Sequence, residues 1–379
     1  MKATVIKTSL ARALKSLRKT ATMKPYVKVS IDGERMVLCT MGSTRCHYVT
    51  SVFASVDDNQ GCAYVELNQL TRIVTMLPNS VVNVEGFGDG GLQLKSADAE
   101  YCIFPALNIV EFDLSDIKPN AEAKTFTLSV AVLHEVLRKV KYATSDDLTR
   151  PALCGVMFTI VDGVLTAVAT DGRRLATVDY DTGDNALTTS LFLPNQVVDK
   201  LFEVVRVKWR DFFDFGVSVE FAVWGKFAKV DVESDCFSVL LEINPDLQLP
   251  LWKKCVPDST NRRAVFPRDR MLEAISRCSP WVAGRYGKGV VFDFSGEGCK
   301  LKFEDDGFVF RESLPCHLES EPFSVTFDPR YVADICKAYD DDMITVTAKA
   351  ADDNKVNSAC KFETSIPSVA VLMTMRSWD

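Results

Sequence analysis

Residues 124–143 read KTFTLSVAVLHEVLRKVKYA. Phe126 and Leu128 alternate with polar neighbours, the pattern of a half-buried strand. From there the period changes. Leu133, Leu137 and Val140 follow the spacing four then three, which puts them on one face of a helix. The same layout occurs at the N-terminus, MKATVIKTSLARALKSLRK (1–19), with Leu10, Leu14 and Leu17 in the equivalent places. It returns in RAVFPRDRMLEAISRCSPW (263–281), with Met271, Ile275 and Cys278. Three copies of one strand-to-helix pattern indicate an internally repeated architecture.

Working outward, each copy is followed by two alternating runs around a Gly-containing turn: YVKVSIDGERMVLCT (26–40), GVMFTIVDGVLTAVAT (155–170) and GVVFDFSGEGCKLKF (289–303). Such runs form hairpins. A second strand-to-helix pattern then appears in each third: AYVELNQLTRIVTMLP (63–78), TSLFLPNQVVDKLFEVV (189–205) and FSVTFDPRYVADICKAY (323–339). Asn or Asp-Pro at the helix entry supplies a cap or first-turn signal. Alternating strands follow again at 80–96, 216–232 and 343–363. The chain thus reads as six strand–helix–strands units, two per domain. The expected fold class is α+β, with antiparallel sheets carrying one layer of helices. Polar, Pro-containing stretches near 115–123 and 256–262 divide it into expected domains 1–122, 123–256 and 257–379.

Composition narrows the function. With 47% hydrophobic and 25% charged residues the chain is ordinary globular protein. Its 44 Lys+Arg against 51 Asp+Glu leave a net charge of −7, which argues against a tail-driven nucleic-acid binder. No apolar run is long enough to span a bilayer. The N-terminal charges interrupt the apolar core a signal peptide needs, so a cytoplasmic location is expected. Twelve cysteines occur without any CxxC pair. Cys39, Cys102, Cys154, Cys278 and Cys336, in apolar or alternating stretches, read as reduced core thiols. The three histidines are far apart, so no metal site is expected. GFGDGG (86–91) leads into a strand where a dinucleotide loop needs a helix, and GRYGKG (284–289) lacks phosphate-loop spacing. Asp340–Asp342 reads as solvated turn charge. No nucleophile–His–acid set is apparent, so neither catalytic residues nor a cofactor are expected.

Basic residues gather on the helices of this acidic chain. Arg12, Lys15 and Arg18 lie opposite the first Leu stripe, and Arg138, Lys139 and Lys141 occupy the matching helix of the second third. Arg72, Lys200, Arg206, Arg268, Arg270, Arg277, Arg330 and Lys337 continue the trend, while acidic runs sit in turns. If the helices share one side, they form a basic surface for sequence-neutral phosphate contact.

The stretch TRPALCGVMFTIVDGVLTAVATDGRRLATV (149–178) resembles the bacterial DNA polymerase III beta subunit, the sliding clamp family. Arg150, Pro151, Leu153 and Gly155 match that family's Arg-Pro-x-Leu-x-Gly strand, and Ala169 to Ala176 its Ala-Thr-Asp-Gly-x-Arg-Leu-Ala turn. LPLWKKCVP (249–257) and VLMTMRS (371–377) fall where the family has its interdomain segment and C-terminal strand. Thr374 stands where the family usually has Pro, and Lys253, Lys254 and Cys255 where it has Arg, Arg and Val.

The resemblance implies a head-to-tail homodimeric ring around double-stranded DNA, without catalysis, with helices lining the hole and sheets outside. A polymerase and an ATP-driven clamp loader would dock short peptides in a pocket. Carried over by motif, that pocket comprises Leu153, Thr170, Gly172, Arg173, Arg174, Leu175, Pro250, Lys254, Cys255, Val371, Leu372, Met373, Thr374, Met375 and Arg376, with Arg174 and Arg376 as rim donors. DNA contacts are expected from Arg12, Lys15, Arg18, Lys24, Arg138, Lys139, Lys141 and Arg150. The dimer contact is expected at Tyr101, Phe104, Pro280, Trp281 and Val282. A protein-interaction scaffold without DNA, or an enzyme with an unrecognised site, are the alternative readings.

Overall fold

The structure, a computed structural model, describes residues 1–18, 26–42, 46–78, 80–97, 99–106, 119–183, 187–211, 217–232, 237–244, 247, 249–258, 260–282, 288–305, 307–350, 355–356, 358–364 and 368–375. It forms two compact units, Met1–Leu133 with Asp199–Pro245, and His134–Val198 with Asp246–Asp379.

In chain order the first third holds β1 (Lys2–Ile6), α1 (Lys7–Arg18), β2 (Tyr26–Asp32), β3 (Arg35–Met41) and β4 (Cys46–Asp58). There follow β5 (Ala63–Glu66), α2 (Leu67–Met76), β6 (Val81–Phe87), β7 (Gly91–Ser96) and β8 (Ala99–Ile103). The middle third has β9 (Lys124–Ser129), α3 (Val130–Val140), β10 (Gly155–Val161), β11 (Val164–Thr170) and β12 (Arg174–Asp181). It continues with β13 (Thr189–Pro194), α4 (Asn195–Asp211), β14 (Ser218–Trp224), β15 (Phe227–Val232) and β16 (Phe237–Glu242). The last third runs β17 (Arg262–Pro267), α5 (Arg268–Val282), β18 (Val290–Ser295), β19 (Gly298–Asp305), β20 (Phe308–Leu314) and β21 (His317–Leu318). It ends with β22 (Phe323–Phe327), α6 (Pro329–Ala338), β23 (Met343–Ala348), β24 (Lys355–Val356), β25 (Cys360–Glu363) and β26 (Ser368–Leu372).

Among the described residues six α-helices and their hairpins fall where the sequence periodicity puts them. Leu10, Leu14 and Leu17, then Leu133, Leu137 and Val140, then Met271, Ile275 and Cys278 are all buried. Asp328 caps α6, its side chain accepting from the Arg330 N–H, with Pro329 in the first turn.

The strands pair by a rule that recurs three times. The opening strand of one strand–helix–strands segment pairs antiparallel with the strand after the helix of its neighbour, and the exchange is mutual. The pairs are β1 with β6 and β2 with β5, β9 with β14 and β10 with β13, then β17 with β23 and β18 with β22. A second rule joins successive repeats. β4 pairs with β16, and β12 pairs with β26. In each case the last strand of a repeat's first segment meets the last strand of the next repeat's second segment.

In the first unit these pairings make a twelve-stranded sheet, with β8 at one edge. Its core includes Val27, Leu38, Tyr48, Val65, Leu70 and Val84, with Phe126 stacked on Phe221 at 4.6 Å. In the second unit there is a nine-stranded sheet and a five-stranded sheet, the latter edged by β20. Phe266, Phe292, Phe294, Phe327, Ile335 and Phe362 belong to one buried core of this unit.

The cysteine expectation needs correction at two places. The cysteines among the described residues are free thiols, and Cys39, Cys278 and Cys336 are buried, but Cys102 is exposed and Cys154 half-buried. Cys102 is exposed on β8, at the edge of its sheet among the described residues, where alternation no longer implies a core. Among the described residues no helix is long and apolar enough to cross a membrane.

Candidate functional site

In the second unit, β11 and β12 are joined by a turn built around Asp171. Its Oδ1 accepts from the N–H of Arg173 at 2.8 Å and of Arg174 at 3.0 Å, and its Oδ2 accepts from Arg174 Nε at 3.0 Å. Thr170 Oγ1 donates to the Arg174 carbonyl at 2.7 Å and accepts from the Gly172 N–H at 3.1 Å. Gly172 takes φ +88°, where an L side chain would be strained. The Met373 N–H donates to the Arg173 carbonyl at 2.9 Å, so the chain leaving β26 is hung on this turn.

These bonds hold open a groove of roughly 120 Å³. The floor is apolar. Leu175 and Val371 are direct cross-strand partners on β12 and β26 and pack with Val168, Leu249 and Trp252. The walls come from Leu153, Pro250, Trp252, Cys255 and Met373, with Thr170, Gly172, Arg173 and Arg174 at the turn. Met373 is 46% exposed, an apolar side chain open to water at the mouth of an apolar trough. Such a groove suits a short apolar segment with a few polar anchors.

Ten of the fifteen residues expected from sequence meet here: Leu153, Thr170, Gly172, Arg173, Arg174, Leu175, Pro250, Cys255, Val371 and Met373. Leu372 faces the other way, into the main core of the unit, because successive strand residues alternate. The Met375 N–H bonds to the Thr326 carbonyl at 2.9 Å, which turns the chain toward β22. Lys254 and Thr374 do not line the groove, and Arg376 lies outside the described residues. Trp252 was missed by sequence reasoning, although it stands in the quoted segment 249–257. A Trp in a Pro-flanked connecting segment was the available signal.

Arg174 is also corrected as a rim donor. Its side chain is only 12% exposed and is engaged on both sides, by Asp171 and by Asp334 Oδ2 at 2.6 Å from Nη1. It clasps the wall and leaves little donor capacity for a ligand. Arg173 is the exposed cation at the turn.

The expected basic surface is uneven. Arg12, Lys15 and Arg18 on α1 are exposed. Lys139 is not: it is 1% exposed, with Nζ 3.3 Å from Glu135. It is withdrawn as a phosphate ligand, because a buried ammonium paired with a carboxylate cannot reach one. Lys200, noted with the helix cations, is buried likewise. Arg138 is tied to Glu135 and Asp340, each at 2.6 Å. Burial would raise the Glu135 carboxyl, but Arg138 and Lys139 together hold it below the usual range. Lys141 is half-buried, while Arg150 is exposed and paired with Asp147 at 3.0 Å. Lys24 lies outside the described residues.

Of the expected contact residues, Tyr101 and Phe104 are exposed on and after the edge strand β8, Phe104 at 75%, edge-on to Phe87. Pro280 and Trp281 are exposed at the end of α5, and Trp281 stacks on Phe308 of the edge strand β20 with ring centroids 4.4 Å apart. Val282 is corrected. It is buried in the core and cannot serve as a contact. Among the described residues no group of three or more His, Cys, Asp or Glu is placed to hold a metal ion.

Comparison with known proteins finds likenesses of sequence and of fold. Residues 127–208 match the family described as DNA polymerase III beta subunit, central domain. The chain is 25% identical over 309 residues to the beta sliding clamp of Synechococcus elongatus, covering 76% of each chain. It is 21% identical over 348 residues to that of Rickettsia felis, covering 89% of each. Its fold is similar to the crystal structure of DNA polymerase III beta subunit from Thermotoga maritima, with TM-score 0.83, 18% identity and all of both chains covered. The DNA polymerase III subunit beta from Pseudomonas aeruginosa gives TM-score 0.86 at 17% identity, again over both whole chains.

Proposed function

We propose, from the premise that this chain belongs to the DNA polymerase III beta subunit family, that it works as a DNA sliding clamp, a homodimeric ring that encircles duplex DNA and tethers a polymerase. It is read as three domains, 1–122, 123–256 and 257–379, each made of two segments. The chain acts without catalysis, in the cytoplasm. The polymerase and a clamp loader insert short peptide motifs into the groove floored by Leu175 and Val371.

One observation carries the ring. The two seams, β4 with β16 and β12 with β26, obey one rule. Applied once more, with the two-residue β21 set aside because it pairs with β17, that rule joins β20 of one copy to β8 of the next. Both strands are edges of their sheets, with main-chain groups open for pairing. Tyr101 and Phe104 flank one edge, and Phe308 with Trp281 the other, supplying the aromatic anchors an interface needs. Such a contact joins different surfaces and closes into a ring when the rotation between copies allows it; the family reading sets the number of copies at two. Exposed Arg12, Lys15, Arg18 and Arg150 are the favoured DNA contacts. They act through charge, so affinity is weak and the topological link does the holding.

The test has two readings. Solution mass at low micromolar concentration should be twice 42.1 kDa. The dimer should remain on closed circular DNA after loading and leave once the circle is cut. A dimer that never resists dilution from circles would favour the scaffold reading.

A further inference from the structure

A second cleft lies in the first unit, apart from the peptide groove. It encloses about 340 Å³ between α1 and the β3–β4 hairpin, with Val204 and Phe237 completing the wall. Its polar lining is Ser9, Arg12 and Ser16 from the helix and Arg35, Thr50 and Ser51 from the strands. Two guanidinium groups and four hydroxyls face one space, and no carboxylate lines it among the described residues. Arg35 is oriented rather than loose. Its Nε donates to Ser51 Oγ at 2.9 Å, and its guanidinium lies 4.0 Å over the ring of Phe53. Phe53 is 71% exposed, so this aromatic platform stands at the entrance. Behind the wall Lys200, paired with Glu203 at 3.6 Å, donates to the Ser16 carbonyl at 2.8 Å and lies 5.7 Å from the Phe237 ring centroid.

We infer that this cleft seats a phosphate group. Arginine forks match phosphate geometry, and hydroxyls can satisfy the remaining oxygens. Two guanidinium groups on one half-open cleft hold a phosphate more firmly than single cations spread along a helix face. A phosphate has two possible sources, the backbone of DNA or free phosphate. The DNA source rests on the clamp reading; the free-phosphate source does not. In the clamp reading, the seat gives the sliding surface one fixed phosphate position beside the mobile charges of Lys15 and Arg18.

The experiment compares the wild-type chain with Arg12→Gln/Arg35→Gln. Duplex DNA binding is measured by fluorescence anisotropy over a salt series, and inorganic phosphate binding by calorimetry. Thermal melting checks the fold of the variant. For a backbone phosphate, the variant should bind duplex about tenfold more weakly, with a salt slope lower by about one, and inorganic phosphate should compete with wild-type binding. For free phosphate, calorimetric binding is lost in the variant, while Arg35→Gln alone, which keeps the Arg12 contact on α1, binds duplex as the wild type does. Should the double variant fail to fold, arginine Nε signals of the wild type, followed by NMR during phosphate titration, replace it. Two side-chain signals should then shift together and saturate. Unchanged duplex and phosphate binding in a folded variant, or unshifted arginine signals, overturns the seat. Retention of the wild type on circular DNA is a separate measurement, so failure of the clamp reading is distinguishable from failure of the seat.

Discussion

Arg174 Nη1 stands 2.6 Å from Asp334 Oδ2, and the same guanidinium lies 4.4 Å from the ring centroid of Tyr331. One side chain thereby links the turn before β12 to α6, while its Nε holds the Asp171 carboxylate that shapes the turn. The groove wall is therefore fixed by an ion-pair network rather than by the apolar floor alone. Arg174→Met should cost about 2 kcal/mol, less than a fully buried pair because Asp334 is partly in water. Urea denaturation measures it. A loss below about 0.5 kcal/mol would mean that the network adds no rigidity.

The apolar floor leads to a different expectation. Met373→Ala removes the side chain at the mouth without touching the Leu175–Val371 pair beneath it. Affinity for a polymerase-tail peptide should fall about tenfold, with the solution mass unchanged. Adding deletion of residues 374–379 should abolish peptide binding altogether. Peptide affinity equal to that of the intact chain would move the docking site elsewhere.

Gly155 explains one residue of the motif by space alone. A Cβ there would lie 2.3 Å from the Leu193 carbonyl oxygen, across the β10–β13 pair. Gly155→Ala should destabilise the chain by roughly 3 kcal/mol, since backbone has to move to relieve the contact. Thermal or urea unfolding checks this, and near-wild-type stability would show that the two strands separate cheaply.

Much of this architecture can be read from spacing. The stripes Leu10/Leu14/Leu17 and Met271/Ile275/Cys278 mark helix faces because burial of one face is what a helix period records. Hairpins announce themselves through short Gly-containing turns. Charge is less legible. Lys139 and Lys200 are buried beside Glu135 and Glu203, and a helical wheel cannot distinguish such a residue from one in water. Cys102 shows the same weakness for strands, since alternation does not reveal which strand ends as an edge. For the groove, motif placement found the floor but misjudged Leu372 and Arg174. The side a strand residue faces, and the ion pairs its neighbours make, depend on partners more than 150 positions away.

Acid should expose one of the surface pairs. The Arg277 hydrogen bond holds the Glu312 carboxyl below its ordinary value of 4.5, against a smaller opposing effect of burial. A lowered folded pKa means that the pair's contribution is complete above the unfolded value and is lost as pH falls through the folded one. Stability measured from pH 6 downward should therefore decline below about 4.5, and Glu312→Gln should flatten that decline while lowering stability at pH 6. Parallel wild-type and Glu312→Gln curves across the acid range would remove this pair from the linkage.

The exposed and buried helix cations give opposite signatures. Lys15→Gln and Arg18→Gln change residues in water on α1, so folding stability should hold within about 0.5 kcal/mol while the salt slope of duplex binding falls by about one for each phosphate left unneutralised. Lys139→Gln should behave in reverse. Its ammonium is buried against Glu135, so its removal should lower stability and leave the slope unchanged. Anisotropy titrations at several salt concentrations, paired with urea unfolding, separate the two classes. A Lys139→Gln slope reduced as much as that of Lys15→Gln would place Lys139 on the DNA side and contradict its burial.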